Sequence, residues 1–334
     1  MLRRSFLKVG LAGLAAPSLI LRAQATEQPR PGNPFIVTYF DVPGIKGSRD
    51  VTDAGDGTLW VCGQRNGTLG RFDPRSSQIK VISLGEGAAP HGVVRGPDGA
   101  AWVTEGGQNA IARIDDKSHE VRLFPLPAGR ERANLNTPVF DKKGVLWFSG
   151  QNGIIGRLDP NSGKMEVFDA PHGAGPYGMT RTPSGEIWFA SLAGNYIARV
   201  DTETTSFTVV DPPTEGQGAR RVWSDSKNRI WVSEWNSGQV SSYDTESGSW
   251  KAWKLPGDRP RTYSVYVDDA DKVWLTDFAA NAILRFDPLT ESFHSFPSDR
   301  AGANVRQMDG RSGEAWGGES GTDRLVRIQT VKPA

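Results

Sequence analysis

The chain has 334 residues, with 39 Lys and Arg against 38 Asp and Glu and a formal charge of +1 at pH 7. This balance does not indicate a nucleic-acid partner, because proteins bind nucleic acids through basic surfaces. The only cysteine, Cys62, excludes an intramolecular disulfide.

The first 25 residues have the composition of an export signal. Arg3, Arg4 and Lys8 precede an apolar run from Val9 to Leu21, and the segment ends on Ala-Gln-Ala, an A-x-A cleavage site. The run is shorter than the roughly 20 residues of a spanning helix, so a membrane anchor is the weaker alternative. We predict a twin-arginine signal peptide over residues 1–25 and a periplasmic protein that has no membrane contact once the signal is removed.

The signal carries four positive charges and no acid, so subtracting them from +1 leaves −3 for the mature chain. Residues 26–34 are then predicted to form a loose leader. A strand is predicted over Phe35 to Asp41, FIVTYFD, with no hairpin partner beside it.

Tryptophan marks a repeat over the rest of the chain. Seven tryptophans, at 60, 102, 147, 188, 231, 274 and 316, are separated by steps of 42, 45, 41, 43, 43 and 42 residues. Arg follows eleven residues after five of them and ten after Trp147, whereas Ser242 follows Trp231. This period fits a four-stranded propeller blade. We therefore predict an all-β fold, a seven-bladed β-propeller that forms one domain over residues 35–334.

The two ends of the chain are predicted to close the ring. The last unit, from about Ala303 to Lys332, holds three predicted strands and lacks a fourth. Phe35 to Asp41 can supply it, which would leave no long sheet edge exposed. Strands are named A to D from the channel outward. The A–B and C–D turns share the lower face, and the D–A connections and the ends of the B strands share the upper face.

A ring of polar residues is predicted at the upper mouth of the channel. Eleven residues before each Trp stand Arg49, His91, Asn136, Tyr177, Arg220, Tyr263 and Val305. Arg221, Arg261, Arg306, Asn134 and Asn304 lie beside this ring, and His172 lies in a D–A connection. The candidate catalytic residues are His91, Arg49, Arg220 and Tyr263. The candidate substrate-binding residues are Asn136, Tyr177, Arg221, Arg261, Asn304 and His172.

The residue types suggest proton transfer and anion binding. His91 is the candidate acid or base because His titrates near neutral pH; the alternative is a His that only satisfies a neighbour. Guanidinium groups suit carboxylate or phosphate, which predicts a small polar or anionic ligand. The alternative for the arginines is pairing between blades with Glu234, Asp277 and Glu319, because buried charges are normally paired.

A second ring lies three residues after each Trp and contains four acids. Its members are Gly63, Glu105, Gly150, Ser191, Glu234, Asp277 and Glu319. Glu105, Glu234, Asp277 and Glu319 are candidate ligands of Mg²⁺ or Ca²⁺, which prefer oxygen donors, although spacing alone does not make them converge. No phosphate-binding Gly-rich loop, zinc spacing or G-x-S-x-G elbow occurs in the sequence.

The units PHGVVRGPDGAAWVTEGGQNAIARID, GPYGMTRTPSGEIWFASLAGNYIARVD and IWVSEWNSGQVSSYD resemble those of the virginiamycin B lyase family, the streptogramin lyases, over roughly residues 35–329. The resemblance implies a seven-bladed propeller that opens a cyclic depsipeptide by elimination at its ester, with a His base and Mg²⁺ held by glutamates. Where the family has its sixth-blade His, its seventh-blade Glu-x-His and its first-blade Tyr, this chain has Tyr263, Ala303-Asn304-Val305 and Arg49. Only Glu319 matches that pattern.

Two functions remain open at this point. The first is a lyase or hydrolase that opens a cyclic ester or lactone-type small molecule, with a centre rearranged around His91, Glu105 and the arginines. The second is a non-catalytic propeller that recognises an anionic ligand or a periplasmic protein partner. A calcium-dependent lactonase is less favoured because that group resembles a six-bladed ring.

Overall fold

The computed structural model describes residues 19–22, 25–28 and 34–331, and within these ranges the regular structure is entirely β-strand. The remainder of the predicted signal peptide and leader lies outside the described residues. Three strands precede the repeats: β1 (Leu19–Arg22), β2 (Ala25–Gln28) and β3 (Phe35–Asp41). No helix among the described residues has the length and apolarity needed to cross a membrane.

The strands form seven antiparallel sheets, which are the predicted seven blades. Blades 1 to 3 contain β4 (Ser48–Asp53), β5 (Leu59–Gly63), β6 (Thr68–Asp73) and β7 (Gln78–Ser83); β8 (Pro90–Arg95), β9 (Ala101–Glu105), β10 (Ala110–Ile114) and β11 (Val121–Pro125); and β12 (Leu135–Phe140), β13 (Leu146–Gly150), β14 (Ile154–Leu158) and β15 (Met165–Asp169).

The second half of the ring repeats this arrangement. Blades 4 to 7 contain β16 (Pro176–Arg181), β17 (Ile187–Ser191), β18 (Tyr196–Val200) and β19 (Phe207–Val210); β20 (Ala219–Ser224), β21 (Ile230–Glu234), β22 (Gln239–Tyr243) and β23 (Trp250–Lys254); β24 (Thr262–Val267), β25 (Val273–Asp277), β26 (Ala282–Asp287) and β27 (Ser292–Pro297); and β28 (Val305–Arg311), β29 (Glu314–Glu319) and β30 (Arg324–Thr330) with β3 as the fourth strand.

The predicted ring closure is confirmed by the pairing of β3 with β30. The two strands run antiparallel, from Phe35 opposite Thr330 to Asp41 opposite Arg324. The innermost strands of blades 7 and 1, β28 and β4, are in contact, so the circle is complete. The prediction that the strand from Phe35 to Asp41 has no hairpin partner is wrong, because β2 pairs antiparallel with its other edge. The strand β1 pairs in the same way with β7.

The repeated tryptophans hold neighbouring blades together. None of the seven is more than 4% exposed, and burying ~150–250 Å² of each contributes about 4–6 kcal/mol before entropy. The Arg that recurs after Trp stands opposite it on strand C, as in the pairs Trp60–Arg71 and Trp316–Arg327. The indole N–H of Trp147 donates to Asp141 in the A–B turn. The repeat is therefore a packing pattern, and the channel is left for other side chains.

Candidate functional site

A β-bulge in every innermost strand places the polar ring in the channel. In each blade the pairing between strands A and B shifts its register just after the first paired residue of strand A. A bulge redirects the side chain that it leaves unpaired. The residues that follow the first paired residue are Arg49, His91, Asn136, Tyr177, Arg220, Tyr263 and Arg306.

The member from blade 7 is Arg306, so the prediction of Val305 from spacing to Trp is wrong. Val305 pairs with Glu319, which makes it equivalent to Pro90, the partner of Glu105. In blade 7, Trp316 pairs with Asp309, whereas the spacing of the pair Val94–Trp102 in blade 2 would place the residue before Asp309 opposite it. The A–B hairpin of blade 7 is therefore one residue shorter than that of blade 2. The ring therefore carries three arginines.

Four ring residues meet at one point. The guanidinium of Arg49 contacts His91 Nε2 through Nη2 and lies 3.5 Å from the hydroxyls of both Tyr177 and Tyr263. The two hydroxyls are 2.5 Å apart and share a hydrogen bond. Arg49 is fixed from its other side by Gln64, whose Oε1 accepts from Nη1 at 2.8 Å. We name Arg49, His91, Tyr177, Arg220, Tyr263 and Arg306 the upper cluster.

Two partly exposed arginines cover the tyrosines. Arg220 donates to the hydroxyl of Tyr177 at 3.0 Å, and its guanidinium carbon lies 3.7 Å from the ring centre of Tyr263. Arg306 donates to the Tyr263 hydroxyl at 3.3 Å. Among the salt bridges of residues 34–331, none involves Arg49, Arg220 or Arg306. The predicted pairing of these arginines with acids between blades does not occur there, so the cluster keeps an excess of positive charge.

Aromatic side chains form the wall beside the arginines. Tyr263 stacks on Phe278 with ring centres 4.6 Å apart, and Trp235 meets both rings edge-on. The guanidinium of Arg220 lies 4.7 Å from the ring centre of Trp235. Cation–π contacts of this kind hold a guanidinium in place and leave its N–H groups available to a ligand.

The surrounding charges set the protonation of two residues. Burial alone raises the pKa of Tyr263, but Arg49, Arg220 and the neighbouring arginines lower it to about 7. Burial, followed by the same positive charges, holds the pKa of His91 well below its usual value. Tyr263 is therefore poised to ionise near neutral pH, whereas His91 stays uncharged.

The bond to Arg49 restricts what His91 can do. Arg has no acceptor atom, so Nε2 of the neutral ring accepts and the proton is on Nδ1. Nδ1 is buried and has no hydrogen-bond partner among residues 34–331. His91 therefore has no lone pair free to take a proton while Arg49 stays in place, and proton transfer by His91 stays a prediction that this geometry does not favour.

Arg221 belongs to a different contact, below the upper cluster. Its Nη2 lies 3.1 Å from Oδ1 of Asp50 on the other side of the channel, and both side chains are buried. Nη1 also lies 3.4 Å from the hydroxyl of Thr137. This ion pair crosses the channel and separates the upper cluster from the lower mouth.

The four acids of the second ring each bind local groups. Glu105 accepts from the backbone N–H groups of Ala89 and Gly107, which ties the D–A connection to the loop after strand B. Asp277 does the same for Arg261 and Ala279, at 2.8 and 2.9 Å.

In blades 5 and 7, the acids of the second ring bind hydroxyl groups, and the acid of blade 7 also binds an arginine. Glu234 accepts from the Ser237 hydroxyl at 2.6 Å. Glu319 accepts from Ser298 and Thr322, and it forms a salt bridge of 2.7 Å with Arg324. Each acid thus satisfies donors of its own blade or of its neighbour.

These contacts do not fit a shared cation site. Among the described residues, no three His, Cys, Asp or Glu side chains stand close enough together to hold a metal ion. Burial raises the pKa of Glu105 and of Glu234, against the hydrogen bonds that lower it, which is a poor setting for two anionic ligands. Binding of Mg²⁺ or Ca²⁺ by these four residues stays a prediction.

The remaining candidates are placed around the cluster without joining it. Asn136 is fully buried, with Oδ1 accepting from Thr137 at 3.0 Å. Arg261 is exposed and lies over Trp235, at 5.6 Å from its ring centre. Asn304 donates to the carbonyl of Gly302, and exposed His172 packs on Tyr196 at 4.9 Å between ring centres. Ligand binding by these four residues stays a prediction.

The structure adds four residues that the sequence analysis did not identify. They lie four residues after Trp in blades 1, 5, 6 and 7, at the start of the loop between strands B and C, and they contact the upper cluster. Gln64 and Ser320 bind Arg49 and Arg306, and Trp235 and Phe278 pack on Tyr263. Counting one residue beyond the acidic ring would have revealed them.

Solved structures with the same fold include known lyases. Virginiamycin B lyase from Staphylococcus aureus matches with a TM-score of 0.81 and 20% identity, covering 89% of this chain and 100% of that chain. A catalytically inactive form of that enzyme with quinupristin gives 0.82 and 20%, with the same coverage. YCF48 bound to D1 peptide gives 0.71 and 15%, covering 92% of this chain and 100% of that one. At these identities the likeness shows the fold.

The family is shown by sequence. A comparison with curated proteins found no match. The sequence model of the virginiamycin B lyase family, in contrast, matches residues 36–267, which is more than half of the chain. The protein is therefore a member of the virginiamycin B lyase family.

Proposed function

We propose that this protein is a periplasmic lyase that opens a cyclic ester or lactone-type small molecule at the upper mouth of its channel. Tyr263 is the base, and Arg220 and Arg306 bind the carbonyl or carboxylate oxygens of the substrate. The observation that carries the proposal is the convergence of three guanidiniums, free of carboxylate partners among residues 34–331, on the hydroxyls of Tyr177 and Tyr263.

The chemistry follows from what these groups can hold. Ionised Tyr263 takes the proton from the carbon next to a carbonyl, and the electron pair of that C–H bond becomes a carbon–carbon double bond. The C–O bond on the second carbon of the new double bond breaks, and the ester oxygen leaves as part of a carboxylate. The guanidinium groups of Arg220 and Arg306 stabilise the negative charge that develops on the carbonyl oxygen and on the leaving group.

Access to the base requires one side chain to move. Tyr263 is 1% exposed and lies under the guanidinium of Arg220, whereas Arg220 and Arg306 are partly exposed. An arriving anion meets these two arginines first. Binding then draws Arg220 from the ring of Tyr263 and brings the substrate to the phenolate.

Mass spectrometry of the products tests the proposal. The mature protein is incubated with a panel of cyclic depsipeptides and macrocyclic lactones. Elimination opens the ring with no change of mass, whereas hydrolysis adds one water. We expect ring opening without a mass change, and Tyr263→Phe should reduce it by roughly 10²–10⁴-fold, the usual contribution of a general base.

Tyr243→Phe is the matched control, because Tyr243 of blade 5 packs on Trp188 of blade 4 and on Trp250 of its own blade, away from the channel. It should keep wild-type turnover. Products heavier by one water would contradict the proposed elimination and would show that the protein is a hydrolase. Full turnover by Tyr263→Phe would contradict the role of Tyr263.

Export is tested separately. Arg3→Lys with Arg4→Lys should retain the protein in the cytoplasm of a bacterial host, since the twin arginine is the feature that the export route requires. Cell fractionation followed by immunoblotting measures the distribution. An unchanged periplasmic fraction would contradict the twin-arginine route.

The alternative function is a binding propeller without chemistry. The excess positive charge of Arg220 and Arg306 favours an anionic ligand or a protein partner whether or not Tyr263 acts as a base. YCF48, a protein of similar fold, is bound to a peptide. Retention of a carboxylate ligand without turnover, weakened by salt and by Arg306→Gln but unaffected by Tyr263→Phe, would favour this function.

A further inference from the structure

The lower mouth of the channel opens into a cavity of about 660 Å³ that the proposed lyase site does not use. Its inner end is closed by the ion pair of Arg221 and Asp50, and both of these side chains are among its lining residues. A volume between roughly 300 and 1,000 Å³ is typical of small-molecule sites. The cavity is therefore large enough for a ligand of its own.

Three cationic side chains from successive blades line one side of this cavity. They are Arg95 of blade 2, Lys142 of blade 3 and Arg181 of blade 4, and all three are exposed. Arg181 is positioned by the carbonyls of Phe140 and Asp141, at 3.0 and 3.2 Å, and Lys142 by the carbonyl of Ser184 at 2.6 Å. Carbonyl groups orient these cations without neutralising them.

Three acids of blades 1 to 3 near this rim have other partners. Asp98 binds Arg113 at 2.7 Å, Asp141 accepts from the indole of Trp147, and Asp50 pairs with Arg221. None of the salt bridges found among residues 34–331 involves Arg95, Lys142 or Arg181. The remaining carboxyl in the lining, Asp309, lies in blade 7 and accepts from Thr52 at 2.7 Å. Positive charge is thus concentrated on the side of blades 2 to 4.

Apolar side chains also contribute to the lining of the cavity. Val94, Val139 and Trp223 are partly exposed there, beside the hydroxyls of Thr137 and Thr180. Basic side chains next to partly exposed apolar ones are complementary to a molecule with an anionic head and an apolar body. We propose that the lower cavity is a second binding site, which takes an amphipathic organic anion with its acidic group toward Arg95, Lys142 and Arg181 and its apolar body toward Trp223.

This site is separate from the upper cluster. Arg221 and Asp50 pair across the channel between the two mouths, with side chains that are 5% and 4% exposed. Arg220 points the other way, since it contacts Tyr177, Trp235 and Tyr263. A ligand in the lower cavity therefore does not touch the proposed base.

Fluorescence titration with anilinonaphthalene sulfonate tests the proposal, because this probe joins a sulfonate to an apolar ring system. The mature wild-type protein should enhance the probe's emission with one saturable site, and added NaCl should weaken binding. Removing two rim charges in Arg95→Gln/Arg181→Gln should weaken it by about tenfold, since both charges attract the sulfonate and are partly screened by solvent.

Two controls locate the site. Lys227→Gln removes an exposed lysine of the lower face that does not line the cavity, and it should leave the affinity unchanged. Arg220→Gln should also leave it unchanged, because Arg220 belongs to the upper cluster. Absence of saturable binding by the wild type, equal affinity in Arg95→Gln/Arg181→Gln, or loss of binding in Arg220→Gln would overturn the proposal.

Discussion

Arg221 in blade 5 and Asp50 in blade 1 form an ion pair across the channel, although 171 residues separate them in the sequence. Nη2 of Arg221 lies 3.1 Å from Oδ1 and 3.2 Å from Oδ2 of Asp50. Burial raises the pKa of Asp50 even though Arg221 and Arg49 lower it. Because both charges are removed from water, a buried pair of this kind fixes geometry more reliably than it adds stability.

Removing one partner of this pair should lower the free energy of unfolding by different amounts, depending on which partner is removed. Asp50→Leu leaves a buried guanidinium that cannot lose its charge, and we expect it to lower the free energy of unfolding by about 3–5 kcal/mol. Arg221→Met should cost less, because a lone Asp50 can take up a proton. Urea unfolding of the two variants and of the double variant measures the difference, and equal losses would contradict the explanation.

Tyr263 should titrate far below an ordinary tyrosine. Its pKa of about 7 lies below the value of about 10 in an unfolded chain, so its ionisation stabilises the fold increasingly from about pH 7 to 10 and adds nothing below pH 7. The absorbance of phenolate should show one tyrosine ionising near pH 7 in the wild type and none there in Tyr263→Phe. Arg306→Gln should raise the midpoint, because one of the charges that lower this pKa is removed.

His91 should destabilise the protein in acid. Its pKa is lowered in the folded state, first by burial and then by Arg49, so the unfolded state binds the proton more readily. Below an unfolded pKa of about 6.5, the free energy of unfolding should fall by about 1.4 kcal/mol per pH unit from this residue. Urea unfolding between pH 4 and 7 should show a shallower slope in His91→Asn, and an identical slope would exclude this role.

The variant Glu319→Gln tests whether this acid of the second ring stabilises the fold through its own hydrogen bonds or through a bound cation. Glu319→Gln takes a charged partner from Arg324, which is 2% exposed but keeps Asp299 at 2.5 Å, so we expect a loss of about 1–3 kcal/mol. The loss should be the same with EDTA and with added Ca²⁺ or Mg²⁺, because Glu319 binds Ser298 and Thr322. A loss that appears only when a divalent cation is present would place an ion at Glu319.

The repeat and the closed ring could be predicted from the sequence because both depend on local rules. Each blade must bury its Trp, as Trp60 is buried against Leu69 and Val93, and this requirement recurs at a fixed interval. The strand from Phe35 to Asp41 had to pair with the last blade, since a lone strand and a three-stranded sheet otherwise leave unpaired edges.

The candidate site could be predicted only in outline. Position relative to Trp placed Arg49, His91, Arg220 and Tyr263 at one mouth, and they do meet there. The same count gave Val305 where Arg306 stands, because the hairpin of blade 7 is one residue shorter and moves the bulge by one residue. A count along the chain cannot detect such a shift without the strand pairing.

The sequence by itself determined the blades, their number and the face on which the polar ring lies, since these follow from a period that each unit carries within it. Only the tertiary structure decided the partners: that Arg221 pairs with Asp50, that Arg49 occupies His91, and that Glu319 binds Arg324. The first contact joins blades 5 and 1, the second joins the neighbouring blades 1 and 2, and the third lies within blade 7. The contacts between blades depend on how the bulges direct their side chains into the shared channel, which no single repeat encodes.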